Sequence, residues 1–336
     1  MNFAPVPSAV MEGLSFYDTY ILLGHEQPDA DCLCSQLGLA DFLKKTGKNV
    51  HILAAKPFDR PETLSLESLF ESDWNALNPD EKTLLVLLDL SDIKRTGFPA
   101  KELDKLPRMV IDHHDSGKAE GDYRYVDPHS PSTTLLVQRI WAEAGMEPDR
   151  ETCNILFFGF ATDTGFFRHL EDKTDEVFNA VADLVRGGAS PNRTFRQISA
   201  GRTLGTRRLM GRIMERSRFY CKDKVLISWE DPKDREELGT GERDSDKLYE
   251  MLQSIEGCEA VVLLRMENDN KCIVGLRSNN DIDVGRIASA LGGGGHKKAA
   301  GAASEGSMDK VKARILALFE EQLYQLNFPL GKQNGF

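Results

Sequence analysis

Short apolar runs alternate with stretches of helical periodicity through the first 190 residues of the chain. Runs at 20–24 (YILLG), 50–54 (VHILA), 84–88 (LLVLL) and 108–111 (RMVI) predict strands. Between the first two, Leu33, Leu37, Ala40 and Leu43 fall at helical spacing over 32–46, before a stopping Gly47. Strand, helix, strand in that order predicts a parallel sheet covered by helices. Further helices are expected over 132–144, 152–162 and 174–186, the last ended by Gly187 and Gly188.

The pattern changes at 191. Residues 191–220 carry eight Arg against one acid, Glu215, with Leu204, Leu209, Ile213 and Phe219 interleaved. This predicts an amphipathic helical connector between a domain at 1–190 and another at 221–330. Its basic face reads either as plain solvation or as a nucleotide contact. From Val225 the chain becomes strand-rich: KVLISW, EAVVLLRM and KCIVGLRS, with helices expected over 245–255, 284–291 and 308–325. The fold class is therefore α/β. A parallel-sheet domain with helices on both faces is joined by the connector to a smaller α+β domain.

Composition narrows the classes. The chain has 336 residues, 40% of them hydrophobic and 28% charged, enough for two cored domains and unlike a disordered chain. No apolar run reaches the roughly 18–20 residues that span a bilayer, so no membrane role is expected. The opening MNFAPVPSAVMEGLSFYD lacks the basic start and long apolar run of a signal peptide, and six Cys are too sparse for a disulfide framework. A cytoplasmic location is the expectation. With 53 Asp+Glu against 42 Lys+Arg the formal charge is −11, which argues against a broad basic track for long duplex nucleic acid.

Polar chemistry stands directly after the apolar runs. His25, Asp29 and Asp31 follow the first predicted strand, in the loop where open α/β sheets bind ligands. Asp89 ends LLVLL, Asp112-His113-His114 ends RMVI, and Asp163 follows the apolar helix NILFFGFAT. A buried charge needs a partner or a metal, and no Lys or Arg accompanies these groups locally. Imidazole with several carboxylates suits hard or borderline divalent cations. In the C-terminal half, Gly292-Gly293-Gly294-Gly295 allows close backbone approach, and its consecutive amides suggest an anion-binding concavity beside His296, Lys297 and Lys298. His51 and His129 read as structural.

HEQPDAD, LLDLSD, VIDHH, TDTGFFRH and GGGGHKKAAG, in this order, resemble the DHH phosphoesterase superfamily with its DHH-associated C-terminal domain. Within it, order and length are most similar to the NrnA-type oligoribonucleases and pAp phosphatases. The resemblance implies two divalent metal ions, Mn²⁺ ahead of Mg²⁺. His25, Asp29 and Asp89 would hold one; Asp31, Asp89, His113 and Asp163 would hold the other, Asp89 being shared. It implies catalytic roles for His114, facing the substrate phosphate, and for Asp112, orienting a ring nitrogen or backbone group. Arg277, Ser278, Gly293, Gly294, Gly295, His296 and Arg168 would contact substrate in a cleft between the domains. Very short RNA oligonucleotides, linear dinucleotides and pAp are the implied substrates, and relatives suggest a homodimer. Cyclic di-AMP hydrolysis, pyrophosphatase activity and a non-catalytic nucleotide sensor are the competing readings. The chain departs from the family's usual Pro-Asp-Gly-Asp-Ala-x-Gly-Ser at Ala30, Cys32 and Cys34. A thiolate at a helix start could bind metal or sense redox state, but cysteine's usual burial favours packing.

Overall fold

The apolar runs of the first half form a five-stranded sheet in the computed structural model, which describes residues 4–114, 120–170, 175–199, 202–239, 243–268 and 270–327. Two compact units, Met1–Gly201 and Arg202–Phe336, make up the chain.

The first unit runs α1 (Ser8–Phe16), β1 (Thr19–Leu23), α2 (Ala30–Lys45), β2 (Asn49–Leu53), β3 (Thr83–Leu88), α3 (Ala100–Leu103), β4 (Arg108–Asp112), β5 (Tyr123–Val126), α4 (Thr133–Glu143), α5 (Arg150–Asp163), α6 (Asp175–Arg186) and α7 (Pro191–Ser199). All strand pairs are parallel, in the order β2-β1-β3-β4-β5. Side chains alternate across the sheet. Tyr20, Leu22, Leu84, Val86 and Leu88 join the core under α2, α4 and α5, with Trp141 and Phe157 fully buried there. Ile21, Leu23, Leu85 and Leu87 face the other side, closed by Leu77, Ile93 and Leu103. Each large side chain so buried contributes about 1.5–3 kcal/mol.

Among the described residues, the second face is covered by α3 and the 3₁₀ turns Trp74–Ala76 and Ile93–Arg95, too short to show a helical period in sequence. The edge strand β5 is also unforeseen. Of its four residues only Tyr125 is buried, so no apolar run marks it.

The second unit runs α8 (Leu204–Arg216), β6 (Arg218–Tyr220), β7 (Val225–Glu230), α9 (Pro232–Leu238), α10 (Ser245–Gln253), β8 (Ala260–Asn268), β9 (Lys271–Ser278), α11 (Val284–Ala290), β10 (Gly294–Gly295), β11 (Ala299–Glu305) and α12 (Met308–Asn327). Its mixed sheet has the order β10-β11-β9-β8-β7-β6, with β7–β8 the parallel pair. α11 and α12 cover one face, and α8 and α10 the other.

The Arg-rich stretch is divided between the units. Phe195 of α7 packs edge-on against Phe166 of the first unit, with ring centroids 5.4 Å apart. In α8, Leu209, Met210 and Ile213 enter the second unit's core. Three of its four arginines are engaged within that unit. Arg212 and Arg216 both bind the buried Asp234, Arg212 also reaches Glu237, and Arg207 binds Asp244. Much of the positive charge on α8 is therefore structural.

Candidate metal centre

The strand order sets the position of the site. The chain steps from β1 out to β2, then back across to β3, so the carboxyl ends of β1 and β3 flank the point where the winding reverses. That is where open α/β sheets of this order carry ligands. His25 lies just beyond β1, and Asp89 just beyond β3. Asp29 caps α2 by accepting from the Cys32 amide at 3.0 Å, and Asp31 stands in the first turn of that helix. Asp112 ends β4, His113 and His114 follow it, and Asp163 is the last residue of α5. Asp89 is left-handed at φ 60°, a conformation Asp tolerates better than most residues and one that clusters at functional sites.

These residues converge. Asp89 Oδ2 lies 3.5 Å from His25 Nε2, while its Oδ1 lies 3.5 Å from His113 Nε2 and 3.6 Å from His114 Nδ1. One carboxylate thus presents one oxygen to His25 and the other to the pair His113 and His114. His113 Nε2 is also 3.5 Å from Asp163 Oδ2, and His25 Nε2 is 3.7 Å from Asp29 Oδ2. Both rings are oriented from behind: His25 Nδ1 donates to the Glu26 carbonyl at 2.9 Å, and His113 Nδ1 to that of Ser130 at 3.1 Å. Each Nε2 is thereby aimed into the cluster, the arrangement common behind metal-bound histidine.

Two of the carboxylates are held well away from their usual acidity. Burial, followed by the charge of Asp89, pushes Asp31 up to about 8. Burial, followed by the charge of Asp31, pushes Asp163 up to about 8. Arg60 comes no nearer than 4.0 Å to Asp29. Carboxylates so crowded must either take up protons or share cations, and the oxygen–imidazole donor set suits divalent cations. Groups able to hold an ion are His25 with Cys32 and Asp89, Asp89 with His113 and His114, and Asp31 with His113 and Asp163.

Asp112 is buried and does not stand in these groups. Its Oδ1 accepts from the His114 backbone at 3.1 Å and from His114 Nδ1 at 2.8 Å, and its Oδ2 accepts from Ser91 at 2.5 Å. That hydrogen bond raises His114 to about 9, so the half-exposed ring is a cation near neutral pH.

Sequence reasoning missed Thr133 and Thr134. Asp31 accepts from the Thr133 amide at 2.7 Å, the Thr134 amide at 3.0 Å and the Thr134 hydroxyl at 2.7 Å, so it caps α4 from a distance. The Thr133 hydroxyl donates to Asp89 Oδ1 at 3.0 Å. The helix start at Ser132-Thr133-Thr134 is legible, but its use of a carboxylate from another helix is not.

The residues expected to contact substrate fall in both units. Arg168 donates from Nε to Gly165 O at 2.8 Å, beyond a turn in which Gly165, Phe166 and Phe167 are all left-handed. In the second unit, Arg277 stacks its guanidinium 4.4 Å above the Tyr249 ring, and the Ser278 hydroxyl is buried with no partner among the described residues. The glycine run differs from the expected amide concavity. The amides of Gly292, Gly293 and His296 already donate to Ser289, Ala288 and Ala299 carbonyls. A side chain on Gly293 would meet Gly301 O at 2.1 Å, and one on Gly295 the Ala300 Cα at 2.5 Å. These two glycines are required by strand packing, whereas a side chain on Gly294, which like His296 is exposed, would meet nothing.

Comparison with known proteins agrees with the fold. Residues 19–160 match the DHH family N-terminal domain, and residues 223–325 match the DHHA1 domain. The chain is 30% identical over 307 residues to the bifunctional oligoribonuclease and PAP phosphatase NrnA of Thermus thermophilus, covering 90% of each. It is 27% identical over 325 residues to the protein of the same name from Bacillus subtilis, covering 92% of this chain and 97% of that one. An exopolyphosphatase-related protein from Bacteroides fragilis shares the fold with a TM-score of 0.82 at 21% identity, over 94% of this chain and 97% of that one.

Proposed function

The chain belongs to the DHH family, and from that premise we propose that it is a metal-dependent phosphohydrolase that degrades very short oligoribonucleotides and linear dinucleotides to mononucleotides and dephosphorylates pAp. The observation that carries this reading is the likeness to two oligoribonuclease and PAP phosphatases. It covers at least 90% of this chain and of each relative.

His25, Asp29 and Asp89 would hold one cation, and Asp31, Asp89, His113 and Asp163 the other, with Mn²⁺ the proposed metal. Two such cations supply a deprotonated water near neutral pH and offset charge on the phosphoryl group. The chain's own residues do the rest. Thr133 and Thr134 fix the oxygens of Asp31 and Asp89. Asp112 and Ser91 hold His114, whose proton lies ready to hydrogen-bond the charge that develops on the phosphoryl oxygens. In the second unit, the exposed backbone at Gly294, with His296, Lys297 and Arg277, would hold the non-reacting phosphate. Part of that role passes from amides to side chains, because the neighbouring amides are engaged.

The test is a panel of a labelled RNA pentamer, pApA, pAp, cyclic di-AMP and pyrophosphate, each incubated with the protein and Mn²⁺. Mononucleotides from the pentamer and from pApA, with phosphate from pAp, are expected. Phosphate from pyrophosphate alone would refute the reading. Turnover confined to cyclic di-AMP would replace it with the cyclic-dinucleotide alternative, and binding without turnover would leave a sensor.

A further inference from the structure

We infer that Cys32 supplies a sulfur ligand to the metal position built from His25 and Asp89, raising its affinity for borderline cations of the Zn²⁺, Co²⁺ or Fe²⁺ class, relative to Mg²⁺ and Mn²⁺, above what its oxygen and nitrogen donors alone would give. The inference rests on the two-cation reading above and adds a donor that the family pattern lacks, since that pattern has alanine at this place.

The geometry is that of a site. One nitrogen of His25, Sγ of Cys32 and one carboxylate oxygen of Asp89 lie within 4.8 Å of one another. His25 directs Nε2 inward because Nδ1 is tied to the Glu26 carbonyl. Cys32 is fully buried in the first turn of α2. Gln36 Nε2 donates to the Cys32 carbonyl at 3.3 Å and to its sulfur at 3.7 Å. The same fully buried Gln36 leaves Oε1 without a partner among the described residues, its amide being turned donor-first toward Cys32. A side chain at Gly24 would meet Sγ at 2.0 Å, and glycine there keeps room for the sulfur beside the end of β1.

Cys34 is the contrast. It packs with Ala30 and Phe158 in a separate apolar cluster and belongs to none of the ion-holding groups. Sulfur donors select borderline and soft cations, whereas oxygen donors suit Mg²⁺ and Mn²⁺. A coordinating thiol gives up its proton, so each cation bound at this position sends one more proton to solvent than it would without Cys32. The second position, lined by Asp31, His113 and Asp163, has no sulfur among its described donors and keeps its preference for harder ions.

The experiment strips the full-length protein with chelator and titrates it with Co²⁺ alone. A thiolate-to-cobalt charge-transfer band in the near ultraviolet is expected. It should vanish in Cys32→Ala and Cys32→Ser and persist in Cys34→Ala. In competition, the preference for Zn²⁺ over Mn²⁺ should fall by about 10–100-fold in Cys32→Ala. A wild-type protein that binds no Co²⁺, binds it without the band, or shows the band undiminished in Cys32→Ala overturns the inference. The readout is separate from turnover. A band in a protein that hydrolyses none of the panel would sink the functional proposal and leave Cys32 a ligand, and the converse result would leave Cys32 a packing residue in a working enzyme.

Discussion

At the scale of single residues, the candidate centre is a problem in charge crowding. Asp31 and Asp163 are both raised to about 8 from an ordinary value near 4, so the metal-free folded protein binds protons that the unfolded chain releases. That stabilisation is full below about pH 4 and is lost as the pH rises through about 8. Chelated protein should therefore melt at lower temperature at pH 8.5 than at pH 6, and Mn²⁺ should raise the melting temperature more at pH 8.5. Thermal scans at both pH values check this; a metal effect larger at pH 6 would refute it. Asp112 gives a second prediction. Asp112→Asn replaces the carboxylate acceptor that raises His114 to about 9 with a neutral amide, and the ring returns toward about 6.5. The alkaline limb of the kcat/KM profile should move down by about two pH units, with roughly a 10–100-fold loss of rate at pH 8 as the protonated fraction of the ring falls. An unshifted limb would show that His114 does not carry the proton.

At the scale of elements, the chain spends charge where its sequence suggested it was offering charge. Asp231 and Asp234 form a capping box at the start of α9, and Asp234 is buried beneath Arg216 and Arg212 of α8. Burial alone would raise the Asp234 carboxyl, but the two arginines and the Asp231 amide outweigh it and hold it at about 2. The depressed value contributes about 2 kcal/mol to the second unit above pH 4, and the contribution is lost as the pH falls toward 2. Asp234→Asn should cost at least that much in urea unfolding at pH 7 and flatten the acid dependence between pH 4 and 2. A variant with wild-type acid sensitivity would sink the assignment. α8 thus joins α9 by buried ion pairs, and an Arg-rich sequence becomes a structural element. The glycine run behaves likewise, since Gly293 and Gly295 serve the approach of β10 to β11.

For the whole molecule, the net charge of −11 fits a protein whose positive charge is local. The proposed cations would offset the carboxylates at the centre, and several arginines of 191–220 are already paired. Among the described residues, no helix is long and apolar enough to cross a membrane. A substrate held through only one or two phosphates should lose less than about tenfold in affinity between 50 and 200 mM salt. An RNA of about 30 nucleotides should bind no more tightly than a trimer, because the proposed site holds only one or two phosphates. Fluorescence anisotropy with a trimer and the longer strand measures both, and tight, steeply salt-dependent binding of the longer strand would contradict the proposal. The sequence by itself determined the central strands of the two sheets, most of their helices, and the kinds of donor that stand after β1, β3 and β4. Burial is written locally, in runs such as LLVLL and in the spacing of Leu33, Leu37 and Leu43. Tertiary structure alone decided which atoms meet. Asp31 reaches Thr133 and Thr134 more than 100 residues away, Asp89 divides its oxygens between His25 and His113, and the arginines of α8 find Asp234. Such pairings depend on strand order, register and side-chain direction between distant segments, which no local pattern carries.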